Sequence, residues 1–96
     1  DPVVGTEQAG RRPALVLTES GYNRRYPRSM VCPITRNQTP WPTNVVLPAA
    51  CKTEGSVLAD QVRTVHRDAR GFRFIERAPQ HVVEKVQEIL RELLAG

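Results

Sequence analysis

No stretch of this sequence approaches the 18 or more consecutive apolar residues that a membrane-spanning helix needs, so no helical span is expected. The opening Asp1-Pro2-Val3-Val4-Gly5 has no basic stretch followed by a long apolar one, so no signal peptide is expected there. There is no initiating Met, and the sequence is expected to begin inside its parent chain. Cysteine is scarce. Cys32 and Cys51 fit no metal-binding spacing and are too few for a disulfide framework. Cys32 lies in an apolar stretch and reads as a small core residue, which suits a reducing compartment, the cytoplasm. Internal repeats and low-complexity tracts are also missing.

What is present describes one small domain over residues 1–96. A chain of this size buries only about 60–65% of its unfolded surface, so a partner subunit would be a natural source of added stability. The composition, 40% apolar and 25% charged, is ordinary for a globular protein. Lys and Arg number 14 against 10 Asp and Glu, a net charge of +4 that favours a polyanionic partner. The basic residues are mostly arginine, clustered at Arg11-Arg12, Arg24-Arg25-Arg28 and Arg67-Arg70-Arg73, with Arg36 and Arg63 between. Arginine suits forked contacts to phosphate.

Along the chain, the first 13 residues are polar and glycine-bearing and read as a loop. Pro13 to Thr18 reads as a short buried strand, and Glu19 to Arg28 as a turn with room for one helical turn. A second strand is expected over Ser29–Thr35, with Pro33 implying an edge or a bulge. Arg36 to Thr43 is a loop carrying Pro40-Trp41-Pro42. A third strand follows over Asn44–Leu47, then a turn around Pro48 to Gly55. Ser56 to Val65 reads as one longer strand and Arg67 to Gly71 as a turn. Phe72 to Glu76 reads as a strand with Phe72, Phe74 and Glu76 on one face and Arg73 and Ile75 on the other. Val82, Val83, Val86, Ile89, Leu90, Leu93 and Leu94 recur at the spacing of one helix face, with Pro79 at the start and Gly96 at the end. Several short strands followed by one helix predict a mainly β protein, a strongly bent antiparallel sheet or barrel capped by a C-terminal α-helix.

The segment richest in chemistry is Gly5-Thr6-Glu7-Gln8-Ala9-Gly10-Arg11-Arg12-Pro13. It places a carboxylate, an amide and two guanidiniums just ahead of a strand, where binding groups tend to sit. Its composition alone also allows a solvated hairpin tip. Thr35, followed by Arg36-Asn37-Gln38, is a second candidate. His66 and His81 read as surface residues, and no pair of histidines is placed for acid–base work. Trp41 could stack on a nucleic-acid base or be buried against the barrel.

The run G-T-E-Q-A-G-R-R-P-A-L-V-L at 5–17, preceded by Asp1-Pro2, resembles the signature segment of the MazF/PemK/Kid toxins. C-P-I-T at 32–35 resembles that family's strand ending in an active-site Thr. L-A-D-Q-V-R-T-V at 58–65 and R-D-A-R-G at 67–71 resemble its later markers. The resemblance implies a small SH3-like barrel of antiparallel strands with a C-terminal helix, and a homodimer. It also implies a sequence-selective endoribonuclease acting on single-stranded RNA without metal or other cofactor and neutralised by an acidic antitoxin. The 2′-hydroxyl would be the nucleophile, leaving a 2′,3′-cyclic phosphate and a 5′-hydroxyl. Carried over, Arg12 would stabilise the phosphorane, Thr35 would donate to phosphate and Glu7 would be the base. Gln8, Arg11, Arg36, Asn37, Trp41, Asp60 and Gln61 are candidates for holding substrate. The loops Arg36–Thr43 and Lys52–Gly55 are expected to select bases.

Two features depart from the family pattern. The strand that normally precedes Asp-Pro is missing, which implies an N-terminally truncated domain. Some members also carry an Arg where this sequence has Leu58. The resemblance leaves two other readings open: a non-enzymatic toxin on the same barrel that binds and poisons DNA gyrase, and a plain interaction barrel. The gyrase-binding relatives end in an aromatic tail, whereas this sequence ends Leu93-Leu94-Ala95-Gly96.

Overall fold

β-Branched Val3, Val4 and Thr6 favour extended backbone, and the computed structural model, which describes residues 3–7, 12–66 and 72–95, has a strand there, β1 (Val3–Glu7). This corrects the loop expected over the first 13 residues. The polar, glycine-bearing composition hides the strand, but Gly5 is what the strand needs. A Cβ at Gly5 would lie 2.7 Å from the Phe72 ring and 2.9 Å from the Arg73 carbonyl oxygen. β1 pairs on one edge with β2 (Pro13–Val16), from Val3–Val16 to Thr6–Pro13, and on the other with β7 (Phe72–Arg77).

The spine of the sheet is the eight-residue β3 (Arg28–Thr35). It follows a short helix, α1 (Ser20–Arg25), which takes the place of the expected turn. One edge of β3 pairs with β2, from Ala14–Pro33 to Val16–Val31. The other edge is shared. Arg28–Val31 pair with β6 (Arg63–His66), and Ile34–Thr35 pair with β5 (Ser56–Leu58). Cys32 and Pro33 fall at the changeover, where that edge has no ladder partner. Proline, lacking an N–H, suits such a gap.

The segment expected as one strand over Ser56–Val65 is therefore two, separated by the 3-10 turn Ala59–Gln61. The two ladders on β3 differ in register by three residues, the length of that turn. β4 (Asn44–Val46) pairs with β5 at the far side. The strand order is β4-β5-β3-β2-β1-β7, with β6 also on β3. This bent, barrel-like sheet is mainly antiparallel, as the sequence implied, and among the described residues its hydrogen-bonded path is open.

The helix α2 (Gln80–Ala95) begins where the Pro79 carbonyl accepts the N–H groups of Val82 and Val83. Val82, Val83, Val86 and Ile89 are buried with Val4, Leu15, Cys32, Ile34, Leu47 and Val57 in the main core. Each such side chain contributes about 1.5–3 kcal/mol. The apolar face read from the sequence runs further than this contact, since Leu93 and Leu94 are 51% and 84% exposed. A second, smaller cluster, Ala14, Val16, Val31 and Val65 with Val3 and Phe72 against it, holds the alternate residues of β2 and β3. No helix of the described residues is long and apolar enough to cross a membrane.

Candidate functional site

The neck of the β1–β2 hairpin places Arg12. Thr6 pairs with Pro13, and the Thr6 hydroxyl donates to the Arg12 carbonyl at 3.1 Å. Pro13 restrains the backbone and biases Arg12 towards an extended conformation. The β2–β3 register, continued two residues beyond Ala14–Pro33, sets Arg12 opposite Thr35. The β1–β2 register, continued one residue beyond Thr6–Pro13, sets the backbone of Glu7 opposite Arg12. The backbones of Glu7 and Arg12, from one motif, and of the distant Thr35 thus form a row across three neighbouring strands.

Arg12 and Thr35 of this row line a groove of about 1190 Å³. One side is made by Thr6, Arg12, Thr35, Arg36 and Gln38, and the other by the chain from Val46 to Glu54. Gln61, Leu58 and Ile75 also line it. Among the described residues the charged lining residues are Arg12, Arg36, Lys52 and Glu54, three basic to one acidic, a balance that favours an anionic ligand. Thr35 is half-buried, and its hydroxyl oxygen accepts the Asn37 N–H at 3.2 Å, so its proton can still be donated.

Gly55 sets the position of Thr35 from the far side. It has φ of 133°, and a Cβ there would lie 1.9 Å from the Thr35 carbonyl oxygen. Only glycine permits both the backbone conformation and the approach. The Gly55 carbonyl accepts the Leu47 N–H at 2.8 Å, closing the loop between β4 and β5. Glu76 ties that loop down. Its two carboxylate oxygens accept the N–H groups of Lys52 and Thr53 at 3.1 and 3.0 Å. Burial alone would raise the Glu76 pKa. The two amides, the Thr53 hydroxyl and the Lys52 charge outweigh it and hold the carboxyl below its ordinary value.

Of the residues singled out from the sequence, Arg12, Thr35, Arg36 and Gln61 line the groove. Glu7 ends β1. Gln8, Arg11 and the turn expected at 67–71 lie outside the described residues. Asn37 does not line the groove. Its side-chain oxygen accepts from the Thr39 amide and hydroxyl, at 2.9 and 2.6 Å, so it shapes the loop behind Thr35. Asp60 is exposed on the 3-10 turn, outside the lining. Trp41, 64% exposed, is neither buried against the sheet nor part of the lining.

Cys32 is a core residue, fully buried, with its thiol pushed up to about 12 by burial and then by the charge of Asp60. Cys51 lines the groove, and burial, then Glu76, raises its pKa, so it stays a thiol. Thr6 and Glu76 were not singled out, and Gln38 and Thr53 were included only as members of the loops Arg36–Thr43 and Lys52–Gly55, parts of which line the groove. Thr6 stands inside the 5–13 motif and could have been found there. Glu76 leaves no sequence signal, because its partners are backbone amides more than twenty residues away.

Three comparisons bear on this geometry. Over 71 residues the chain is 41% identical to the endoribonuclease toxin MazF of Escherichia coli K12, an alignment covering 74% of this chain and 63% of that protein's length. It is 33% identical over 98 residues to the Escherichia coli endoribonuclease PemK, covering 98% of this chain and 74% of the relative. Its fold superimposes with a TM-score of 0.92 on a chain of the Deinococcus radiodurans MazE–MazF crystal structure (Form-I), with 34% identity, covering 98% of this chain and 93% of that one. The family model for the PemK-like, MazF-like toxins of type II toxin–antitoxin systems matches residues 1–94, and the chain belongs to that family.

Proposed function

We propose that this protein is a sequence-selective endoribonuclease toxin that cleaves single-stranded RNA without a metal. The observation that supports this reading is Arg12 and Thr35 side by side in the lining of a groove with mostly basic charges, with the backbone of Glu7 in register beside Arg12, in a chain of the MazF-like family. The ribose 2′-hydroxyl attacks the adjacent phosphorus, and the P–O5′ bond breaks. The products are a 2′,3′-cyclic phosphate and a 5′-hydroxyl. Glu7 takes the 2′-hydroxyl proton. Arg12 bridges the phosphorane oxygens and stabilises the charge on the departing O5′, which takes its proton from solvent water, while the Thr35 hydroxyl donates a hydrogen bond to phosphate. Arg36 and Gln61 hold the strand in the groove, and Gln8 and Arg11, neighbours of Arg12 in the sequence motif, assist in binding it. Trp41 and Asp60 lie further out and meet flanking nucleotides, and Asn37 acts by orienting the Thr35 hydroxyl.

The protein works as a cytoplasmic homodimer, whose interface takes up large apolar side chains that one chain leaves uncovered, such as Phe74 at 63% exposure. Its inhibitor is an acidic antitoxin segment that orders on the basic groove, as charge complementarity favours and as the MazE–MazF complexes of its structural relatives suggest.

Incubation with a mixed RNA pool in the presence of chelator, followed by mapping of the new ends, tests this directly. Cyclic-phosphate and 5′-hydroxyl ends at one short sequence are expected. Replacing the 2′-hydroxyl at the cut position by hydrogen should stop cleavage and leave binding nearly intact. Continued cutting of that substrate would mean attack by water. No cutting at all, with DNA gyrase inhibited instead, would point to the gyrase-binding alternative.

A further inference from the structure

The strand β7 is irregular where it faces β1. Val4 pairs with Glu76 and Gly5 with Phe74, so one step along β1 spans two along β7, and Ile75 is the additional residue of a bulge. Regular alternation, as read from the sequence, would put Glu76 on the same face as Phe72 and Phe74. Bulges re-aim the side chains that follow them. Phe72 packs against the second cluster, while Ile75 lines the groove and Glu76 bonds Lys52 and Thr53 of the groove wall.

That wall has few other ties. Between β4 and β5 the backbone is closed at its neck by Leu47 N–H to Gly55 and turned by Cys51 N–H to the Pro48 carbonyl. At the tip, the Lys52 and Thr53 amides are held by the two oxygens of Glu76. A carboxylate accepting amide N–H groups makes charge-assisted bonds, roughly twice as strong as neutral ones. It is anchored on a strand paired into the sheet, so the loop takes its shape from β7. The same loop ends at Gly55, in contact with the Thr35 carbonyl.

We propose that Glu76 is the positioning residue of the groove's selective wall, holding Lys52, Thr53 and Glu54 in the arrangement that reads RNA bases, while Arg12 and Thr35 carry out the chemistry independently of it. This rests on the endoribonuclease reading above. Glu76 touches neither substrate nor reacting atoms. Its removal therefore loosens binding and base discrimination and spares the chemical step.

The test uses the full protein and its variants Glu76→Gln and Glu76→Ala, with melting curves to confirm folding. Glu76→Gln is close in shape and guards against simple failure of Glu76→Ala to fold. Single-turnover cleavage is measured on one cognate RNA and on copies carrying a single altered base beside the cut. For Glu76→Ala, the half-saturating RNA concentration should rise about tenfold, discrimination should fall by a similar factor, and the saturating rate should stay within about threefold. A tenfold change is about 1.4 kcal/mol. Glu76→Gln, with one accepting oxygen, should fall between. Hydrogen exchange at the Lys52 and Thr53 amides, without RNA, should speed up in step.

Unchanged discrimination and half-saturation, or a saturating rate that collapses equally on every RNA, would overturn the assignment. So would unchanged exchange at the two amides. Failure of the unsubstituted protein to cut any RNA would instead sink the endoribonuclease reading, and the selective role with it. The exchange data would then still report whether Glu76 clamps the loop.

Discussion

On one side of the groove, Arg12 and Thr35 owe their places to ladder register. They lie on or immediately beside β2 and β3, whose residues Leu15, Val31 and Cys32 are fully buried, so moving them means moving the sheet. On the other side, the chain from Leu47 to Gly55 belongs to no strand; Leu47 and Cys51 pack on the core, and the backbone bonds described for it are the neck bond, a turn bond and those to the Glu76 carboxylate. The first side has the rigidity that preorganised stabilisation of charge requires. The second is fixed at its ends, by Leu47 in the core and by Gly55 against Thr35, while Lys52 and Glu54 between them are exposed and can vary, as surface loop residues can. The difference suggests a division of labour, with chemistry on the sheet and selection on the loop, and substitutions on the two sides should fail in different ways.

The largest effect is expected from Arg12. Arg12→Ala removes a donor aimed at developing charge, worth about 3–4 kcal/mol, and should lower the single-turnover rate roughly a hundred- to a thousandfold. Melting temperature should hardly change, because the side chain is exposed. Arg12→Lys should recover only a small part, since an ammonium cannot bridge two phosphate oxygens. A lysine variant cutting at near the parent rate, or an alanine variant lost to unfolding, would remove Arg12 from the chemistry.

Gly55→Ala comes next and tests where the two sides meet. Its Cβ would overlap the Thr35 carbonyl oxygen at 1.9 Å, and its φ of 133° is strained for any residue with a side chain. A loss of about 2–3 kcal/mol in stability is expected, with slower cleavage as Thr35 is displaced. Gly21→Ala is the contrasting case. It lies in α1 with its nearest atom, the Glu19 carboxylate, at 3.7 Å, and should be neutral or slightly stabilising. Equal melting temperatures for the two variants would refute the crowding argument.

The smallest effect concerns acid. The Glu76 carboxyl is held below its ordinary value in the folded protein, so its contribution to stability is full above the unfolded value near 4.5 and is lost as pH falls through the folded one. The groups facing it are the Lys52 ammonium, whose charge favours the carboxylate, and Cys51, whose raised pKa keeps it a neutral thiol. Melting curves of the protein and of Glu76→Gln should therefore differ at neutral pH and converge once the pH falls below the lowered value of the folded carboxyl. Curves that stay parallel down to low pH would mean that the clamp contributes nothing.

Much of the fold was legible from local patterns. The period of the apolar residues in 82–94 reports a helix because a helix repeats every 3.6 residues, and the strand at 28–35 shows in its apolar run. The first strand did not show. Gly5 and the polar residues around it look like a loop until β7 packs against them and requires the missing Cβ. Nor did the break after Leu58, which follows from β5 and β6 sharing one edge of β3 out of register. At the site, Arg12 and Thr35 were found because their motifs are local, whereas the backbone of the loop they face carries no motif at all.

By itself, then, the sequence determined the mainly β class with its terminal helix, the basic character and the residues offered for chemistry, because these depend on residue type and short-range spacing. Only the tertiary structure decided that Glu7, Arg12 and Thr35 form one row, that Gly55 abuts Thr35, and that a bulge at Ile75 turns Glu76 onto the groove wall. Those are relations between strands and loops distant in the chain. They are set by register and close packing, which no local window of sequence contains.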